Sequence, residues 1–552
     1  MRLLTVQNIR RVVQGLFLLL FLFLFIQTES KGNDELGYPV RLFLDFDPLI
    51  LITTLLSAHA VAKAFLLSLV VIVLTVLLGR VFCGWVCPLG TLNNLVGMLS
   101  KRRPVAPTPL SPPLPRGDKR GVSAGGAGRG VSWHRVKYFI LFGMLASAVF
   151  TLQPAGIMDP ISLLIRSFSL SIYPLFNYAV RSTFDTIYAV NPAGIAAVSE
   201  PVYTVLKKSV LSFSQAYYNQ SVFIGVLFLT VLGLNLVEKR FWCRYLCPLG
   251  AMLGLLSRFS LLKRSVSEGC TECGACAGVC QGAAEPDVKG KWKDAECYYC
   301  WNCDDICPNN AVSFGFAEKK ITPAMDLGRR RLVVSALSGI AAVPLLRITP
   351  LGMANAKDPV LLRPPGSLEE KEFLARCVKC GECMKVCITN GLQPTLLEAG
   401  LEGIWSPTLV PRIGYCEYRC TLCGQVCPTG AIKKLSFQEK AKVKIGLAMI
   451  EKGRCLPWAH ATPCIMCEEV CPTPKKAIWF EKAQVRDRKG KMITLQQPRV
   501  DLELCIGCGI CETKCPVLGR PAIYVMNVGE SRSKENQLLL SERRDDEQHD
   551  HA

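Results

Sequence analysis

Cys270-Thr271-Glu272-Cys273-Gly274-Ala275-Cys276-Ala277-Gly278-Val279-Cys280 and Cys297-Tyr298-Tyr299-Cys300-Trp301-Asn302-Cys303-Asp304-Asp305-Ile306-Cys307-Pro308 are two copies of one run, three cysteines at two-residue gaps and a fourth after three more residues. Three thiols so spaced reach three corners of an iron–sulfur cubane from one tight turn, and in a two-cluster fold the fourth serves the other cubane. One [4Fe–4S] cluster is therefore expected on Cys270, Cys273, Cys276 and Cys307, and a second on Cys297, Cys300, Cys303 and Cys280. Four thiolates also suit zinc, but zinc sites usually show a pair, a long spacer and a second pair. Trp292, Tyr298, Tyr299 and Trp301 are expected to shield the clusters.

The same signal recurs downstream in four groups: Cys377, Cys380, Cys383, Cys387; Cys416, Cys420, Cys423, Cys427; Cys455, Cys464, Cys467, Cys471; and Cys505, Cys508, Cys511, Cys515. Pro428, Pro472 and Pro516 follow three of the last members. Six groups thus take 24 of the 28 cysteines, and grouping in fours rather than scattering excludes a disulfide framework. Six [4Fe–4S] clusters are the economical count. Fourth cysteines are expected to exchange in a nested way, first group with last and the middle two together; exchange between neighbours is the alternative. The longer first gaps of the second and third groups, the latter Leu456 to Pro463, are insertions that a loop can absorb.

The 552 residues are half apolar, with mean hydropathy +0.28, yet carry a formal charge of +20. The apolar residues are concentrated before residue 257 and again at 332–346. That distribution favours a membrane protein with basic residues on its inner face over a nucleic-acid binder. Four crossings are expected, at Val12–Ile26, Val61–Gly79, Val136–Leu152 and Ser221–Val237. Basic residues at 10–11, 101–135 and 239–240 put the N-terminus, residues 80–135 and the chain after 238 inside. The first run has no small-residue cleavage site soon after it and reads as an anchor rather than a signal peptide.

Two segments recur in order. Asp47-Pro48 and Asp159-Pro160 follow the outward crossings, and Cys83-Gly84-Trp85-Val86-Cys87-Pro88 and Cys243-Arg244-Tyr245-Leu246-Cys247-Pro248 follow the inward ones. A parallel two-helix repeat results. Asp before Pro suits the N-cap and first residue of a short interfacial helix, or simply a turn. The two cysteine pairs form a further metal centre or redox dithiol, or else are structural thiols. Asp47, Asp159 and His59 are weak candidates for accepting a proton.

Arg329-Arg330-Arg331, the modestly apolar run Leu332–Leu346 and Ala354-Asn355-Ala356 together read as a twin-arginine export signal, with a fifth anchor as the alternative. Either places residues 357–552 outside. The expected fold is multidomain: an α-helical membrane domain with parallel two-helix repeats (1–260), an α+β bacterial-type two-cluster ferredoxin module in the cytoplasm (261–320), the signal or anchor (325–356), a four-cluster periplasmic ferredoxin domain (357–526) and a mobile charged tail (527–552).

In this combination residues 1–320 resemble a NapH-type membrane ferredoxin, and residues 325–525 resemble the NapG/MauM-type polyferredoxins, here joined in one polypeptide. The resemblance implies a quinol dehydrogenase component of the bacterial inner membrane, passing electrons from the quinol pool to a periplasmic cytochrome or reductase. An electron-donating assembly factor for a periplasmic metalloenzyme, or the anchoring subunit of a larger oxidoreductase, are the other classes. No P-loop, dinucleotide fingerprint or nucleophile elbow is present.

Overall fold

The computed structural model describes residues 5–29, 36, 40–59, 63–99, 133–190, 195–282, 284, 292–316, 329–347, 360–486, 489–533 and 536. Most of the basic run 101–135, the Ala354–Ala356 site and residues 537–552 lie outside them.

The first apolar run forms a helix over Val6–Gln27, opened by Thr5, whose hydroxyl accepts from the Asn8 amide. Its 22 residues make it about 33 Å long. Gln7 and Arg10 at its start donate to Asn302 Oδ1 at 3.1 and 3.3 Å. At its end the carbonyls of Phe25 and Thr28 accept from Lys385 Nζ, both at 2.6 Å. The 261–320 module and the domain from residue 360 onward, labelled the inner module and the outer domain below, therefore sit at opposite ends of this helix, one helix length apart.

Among the described residues this is the one helix long and apolar enough to cross a membrane alone. The other expected crossings are the shorter helices Ser68–Leu78, Val136–Val149 and Ser221–Val237. The second stops at Gly79, whose φ of +79° suits glycine and where a Cβ would collide with the Tyr299 ring. Four further short helices complete the centre of this half: Pro48–Ala58, Pro88–Leu99, Pro160–Ser167 and Pro248–Ser257. Each begins with proline, whose fixed φ and missing N–H suit a first helical position.

Both Asp-Pro pairs cap and open short helices, as expected, and these helices are enclosed by protein. Asp47 and Asp159 are fully buried, and every residue of Pro160–Ser167 is buried as well. The outer domain covers them: Ser57 Oγ donates to the Ala375 carbonyl at 2.6 Å, and Arg166 donates to the carbonyls of Gly156 and Lys379. Two helices had no counterpart in the sequence reading, Tyr173–Val190 and Ile195–Ser209. Arg181, Asp185, Glu200, Lys207 and Lys208 interrupt their apolar pattern.

The Arg329–Arg347 segment is a helix lying parallel to Val136–Val149. Ser335 Oγ donates to the Phe139 carbonyl at 2.5 Å, Gly339 abuts the Gly143 carbonyl, and Arg347 donates to Phe150 O and Thr151 Oγ1 at 3.1 and 2.7 Å. Glycine facing glycine lets two backbones approach closely, as in membrane helix pairs.

Both ferredoxin parts are α+β. In the inner module Leu262–Val266 pairs antiparallel with Val312–Phe316. In the outer domain Leu392–Pro394 pairs with Pro407–Leu409, Leu447–Ile450 with Ile523–Met526, and an unforeseen hairpin joins Ile478–Arg486 to Met492–Val500. The folded chain also continues past 526, correcting the expected start of the tail. Asn527 and Glu530 are buried, Ser531 N donates to Lys444 O at 2.9 Å, and Arg532 pairs with Glu370 at 2.7 Å.

Candidate metal centres

Each cysteine group makes a tight turn followed by a short helix. Ala275–Val279, Asn302–Asp305, Glu382–Lys385 and Ile510–Thr513 are all preceded by a residue at positive φ: Gly274, Trp301, Gly381 and Gly509. At Gly381 and Gly509 that turn leaves the first three thiols of the group lining one cavity.

Four cavities of the outer domain are each lined by four cysteines and otherwise largely by apolar residues. Cys377, Cys380, Cys383 and Cys427 line one of about 360 Å³, and Cys387, Cys416, Cys420 and Cys423 one of about 410 Å³. Cys455, Cys464, Cys467 and Cys515 line a third of about 390 Å³, and Cys471, Cys505, Cys508 and Cys511 a fourth of about 340 Å³. Fourth cysteines thus cross between neighbouring groups, first with second and third with fourth. The nested exchange expected from the sequence is corrected: the Leu447–Ile450/Ile523–Met526 pairing brackets the third and fourth groups together, and Leu368 N bonds Ala431 O to close the first two.

The cavities fit cubane clusters. Backbone amides aim at the sulfurs, Ile432 N at Cys427, Ala448 N at Cys505 and Ala522 N at Cys515, at 3.4 to 3.5 Å. Burial pushes the thiols of Cys416 and Cys455 up to about 11 and those of Cys467 and Cys508 up to about 12. A bound cation is what makes thiolates there. Among the described residues no three His, Cys, Asp or Glu side chains close onto a single point as for one bare ion. Cluster ligands instead stand apart around a core.

In the inner module Cys280 lies within electrostatic reach of Cys297, Cys300 and Cys303, the grouping expected for one cluster. Ser267 N donates to Ala311 O at 2.9 Å and Asn309 Nδ2 to Gly269 O at 2.9 Å, which brings the start of the first run, Cys270, alongside Cys307. Trp301 and Tyr299 pack on Phe314 over this module.

The two modules meet the helical half in the same way. Gly84 has no Cβ to collide with the Tyr298 carbonyl, and Gly156 none to collide with that of Val378. Tyr298 follows Cys297, and Val378 follows Cys377, the first cysteines of their groups. Around the inner contact Trp85 Nε1 donates to Tyr299 O at 2.9 Å, and buried Glu296 accepts from Arg80 at 3.4 Å, from Tyr138 at 2.9 Å and from Lys137. Around the outer one Lys379 Nζ donates to Gln153 O at 3.1 Å.

Cys83, Cys87, Cys243 and Cys247 come together in the centre of the helical half. Cys87 and Cys247 each lie within reach of Cys83 and Cys243. The Gly90 and Gly250 amides donate to Cys87 and Cys247 Sγ at 3.4 and 3.2 Å, and Asn93 Nδ2 to Cys243 Sγ at 3.5 Å. Fully buried Arg80 and Arg240 stand beside these thiols and both lie over the Tyr298 ring, at 4.8 and 4.9 Å from its centre. Sequence reasoning counted Arg240 only among the inward basic residues and passed over Arg80. Their signal was present: each stands three residues before the first cysteine of its pair, Arg80 before Cys83 and Arg240 before Cys243.

Asp47 Oδ1 accepts from Leu49 N at 2.8 Å and Asp159 Oδ2 from Ser162 N at 2.7 Å, so both are N-caps. Exposed His59 stands at the far end of the Pro48–Ala58 helix and does not join them.

Two 4Fe-4S binding-domain family models match the chain, one at residues 63–106 and 220–267 and another at 498–518. The methylamine utilization ferredoxin-type protein MauM of Methylorubrum extorquens is 35% identical over 205 residues, 36% of this chain and 88% of its own length. The ferredoxin-type protein NapG of Escherichia coli K12 is 35% identical over 204 residues, 36% of this chain and 85% of its own. MauM of Paracoccus denitrificans is 33% identical over 214 residues, 38% of this chain and 88% of its own. No solved structure matches the chain.

Proposed function

We propose a function from one premise: the chain belongs to the ferredoxin-type protein family that includes MauM and NapG. It is an iron–sulfur electron-transfer protein. Our reading goes further: six [4Fe–4S] clusters, two in the inner module and four in the outer domain, carry single electrons across the inner membrane from the quinol pool to a periplasmic cytochrome or reductase. The observation that carries it is the set of four cavities, each lined by four cysteines drawn from two groups.

A membrane setting is supported by the outward faces of the helices between the modules. Val12, Leu16, Leu19 and Phe23 are exposed on Val6–Gln27, Leu69, Val70 and Val73 on Ser68–Leu78, and Val222, Val226 and Leu229 on Ser221–Val237. An apolar girdle of this extent suits lipid. The Arg329–Arg347 helix, parallel to Val136–Val149, serves as a fifth crossing that delivers the outer domain to the far side.

The clusters supply one-electron redox chemistry when bound. The chain's own part is to hold the thiolates, to exclude water with the aromatic and aliphatic walls, and to aim amides at sulfur, which raises the affinity of a site for an electron. Reduction of the purified, cluster-loaded protein by added quinol tests the donor. Cluster bleaching by several quinols supports it, and clusters that respond only to dithionite refute it.

A further inference from the structure

We propose that Cys83, Cys87, Cys243 and Cys247 ligate a [2Fe–2S] centre that joins the inner clusters to the outer ones. The proposal deepens the electron-transfer reading and rests on it.

The first observation is the donor set. Two pairs of thiols from two similar halves of the chain converge in one buried place, and two pairs of thiolates are what the two irons of a [2Fe–2S] rhomb take. The second is charge. Arg80 and Arg240 are 0% and 1% exposed, and on Arg240 the Nε and Nη2 atoms have no hydrogen-bond partner. Arg80 shares Glu296 with Lys137, and among the described residues Arg240 has no acidic partner at all. Its one bond here is Nη1 to the Cys83 carbonyl at 3.0 Å. Buried guanidinium groups need a compensating negative charge, and neutral thiols or a disulfide supply none. Four thiolates around a [2Fe–2S] core do.

Helix ends add to this field. The Pro88–Leu99 and Pro248–Ser257 helices start at the cysteine pairs, so their positive N-terminal ends face the site. Their first-turn amides already donate to sulfur, at Gly90 and Gly250.

The third observation is position. Tyr298, Cys87, Cys243, Cys247, Val378 and Cys380 belong to one continuous buried apolar cluster. Tyr298 lies between inner ligands Cys297 and Cys300, and Val378 between outer ligands Cys377 and Cys380. Cys87 is within electrostatic reach of Asp159, and Arg166 of both Asp159 and Cys380. The four thiols therefore stand between the inner and outer clusters, where a helix length of apolar material would otherwise separate donor from acceptor. In the step itself a ferric iron of the centre becomes ferrous as a neighbouring reduced cluster loses one electron, and no bond or proton changes hands.

The test uses the full-length protein, purified anaerobically in detergent, with Cys83→Ser, Cys243→Ser and Arg240→Gln variants. Iron and acid-labile sulfide are counted, and electron paramagnetic resonance is followed during a redox titration. Each cysteine variant is expected to lose one [2Fe–2S] complement of iron and sulfide and one signal, leaving the [4Fe–4S] signals in place. Arg240→Gln is expected to keep the metal while lowering the midpoint potential of that one signal, which decides the matter if the cysteine variants do not fold. Unchanged iron, sulfide and spectra in folded cysteine variants overturn the proposal, as does zinc at this site or a set of potentials that Arg240→Gln leaves unmoved. Persistence of the [4Fe–4S] signals throughout separates failure here from failure of the electron-transfer reading.

Discussion

Replacing Glu370 by Gln is expected to loosen the whole outer domain. Glu370 accepts a two-pronged bond from Arg363, Nη2 at 2.6 Å and Nε at 3.1 Å, and a third from Arg532 at 2.7 Å. Arg363 is 1% exposed, stacks on the Phe373 ring at 4.7 Å and reaches Ser406 Oγ and Pro407 O. One carboxylate thus ties the start of the domain to its end and to the helix that leads into Cys377. Burial alone would push this carboxyl up, but the two arginines override it and hold Glu370 at about 2, against an ordinary value of 4.5. At about 1.4 kcal/mol per pH unit the gap is worth about 3 kcal/mol of folding free energy. Because the folded value is the lower one, the contribution is complete above pH 4.5 and is lost as pH falls from 4.5 toward 2. Glu370→Gln should remove it at pH 7 and lower the melting temperature of the domain by roughly 6 to 12 °C. Thermal scans of cluster-loaded protein, followed by loss of cluster absorbance at a fixed scan rate, measure this. The native and variant curves should approach each other as pH is lowered through 4.5. A variant melting within about 1 °C of the native protein at pH 7 would refute the reasoning.

Three further outcomes follow from the geometry. Cys427→Ser should disable the cluster of Cys377, Cys380 and Cys383, and Cys387→Ser that of Cys416, Cys420 and Cys423; nested exchange would instead couple Cys427 to the third group, and resonance spectra of the two variants distinguish these. Gly84→Val should drive the Tyr298 backbone away, so that limited proteolysis cuts the 261–320 module faster while the outer domain stays resistant; equal cleavage of both proteins would contradict the docking. Gly339→Leu should separate the Arg329–Arg347 helix from Val136–Val149, costing about 1 to 3 kcal/mol of overpacking, and lowering the temperature at which the detergent-solubilised protein loses its clusters; an unchanged temperature would show that the two helices do not touch.

The cysteine groups were legible because a cubane fixes its ligands in a local pattern that needs no knowledge of the rest of the fold. Nested pairing was misjudged because which fourth cysteine crosses where depends on strand pairing, and Leu447–Ile450 finds its partner far along the chain at Ile523–Met526. The Tyr173–Val190 and Ile195–Ser209 helices escaped notice because charged residues break their apolar runs. Asp47 and Asp159 were legible as caps, since Asp before Pro is a local signal, but their burial depends on the outer domain lying over them. The same holds for Arg80 and Arg240. Basic residues at a helix end read as surface charge until the fold encloses them beside Tyr298.

Electron transfer by this chain requires that its grouped thiols hold iron and sulfide in quantity. Iron and acid-labile sulfide assayed per chain on anaerobically purified full-length protein test it most directly. About four of each are expected for every one of the six cysteine groups; zinc in place of iron, with sulfide near zero, would leave no electron relay.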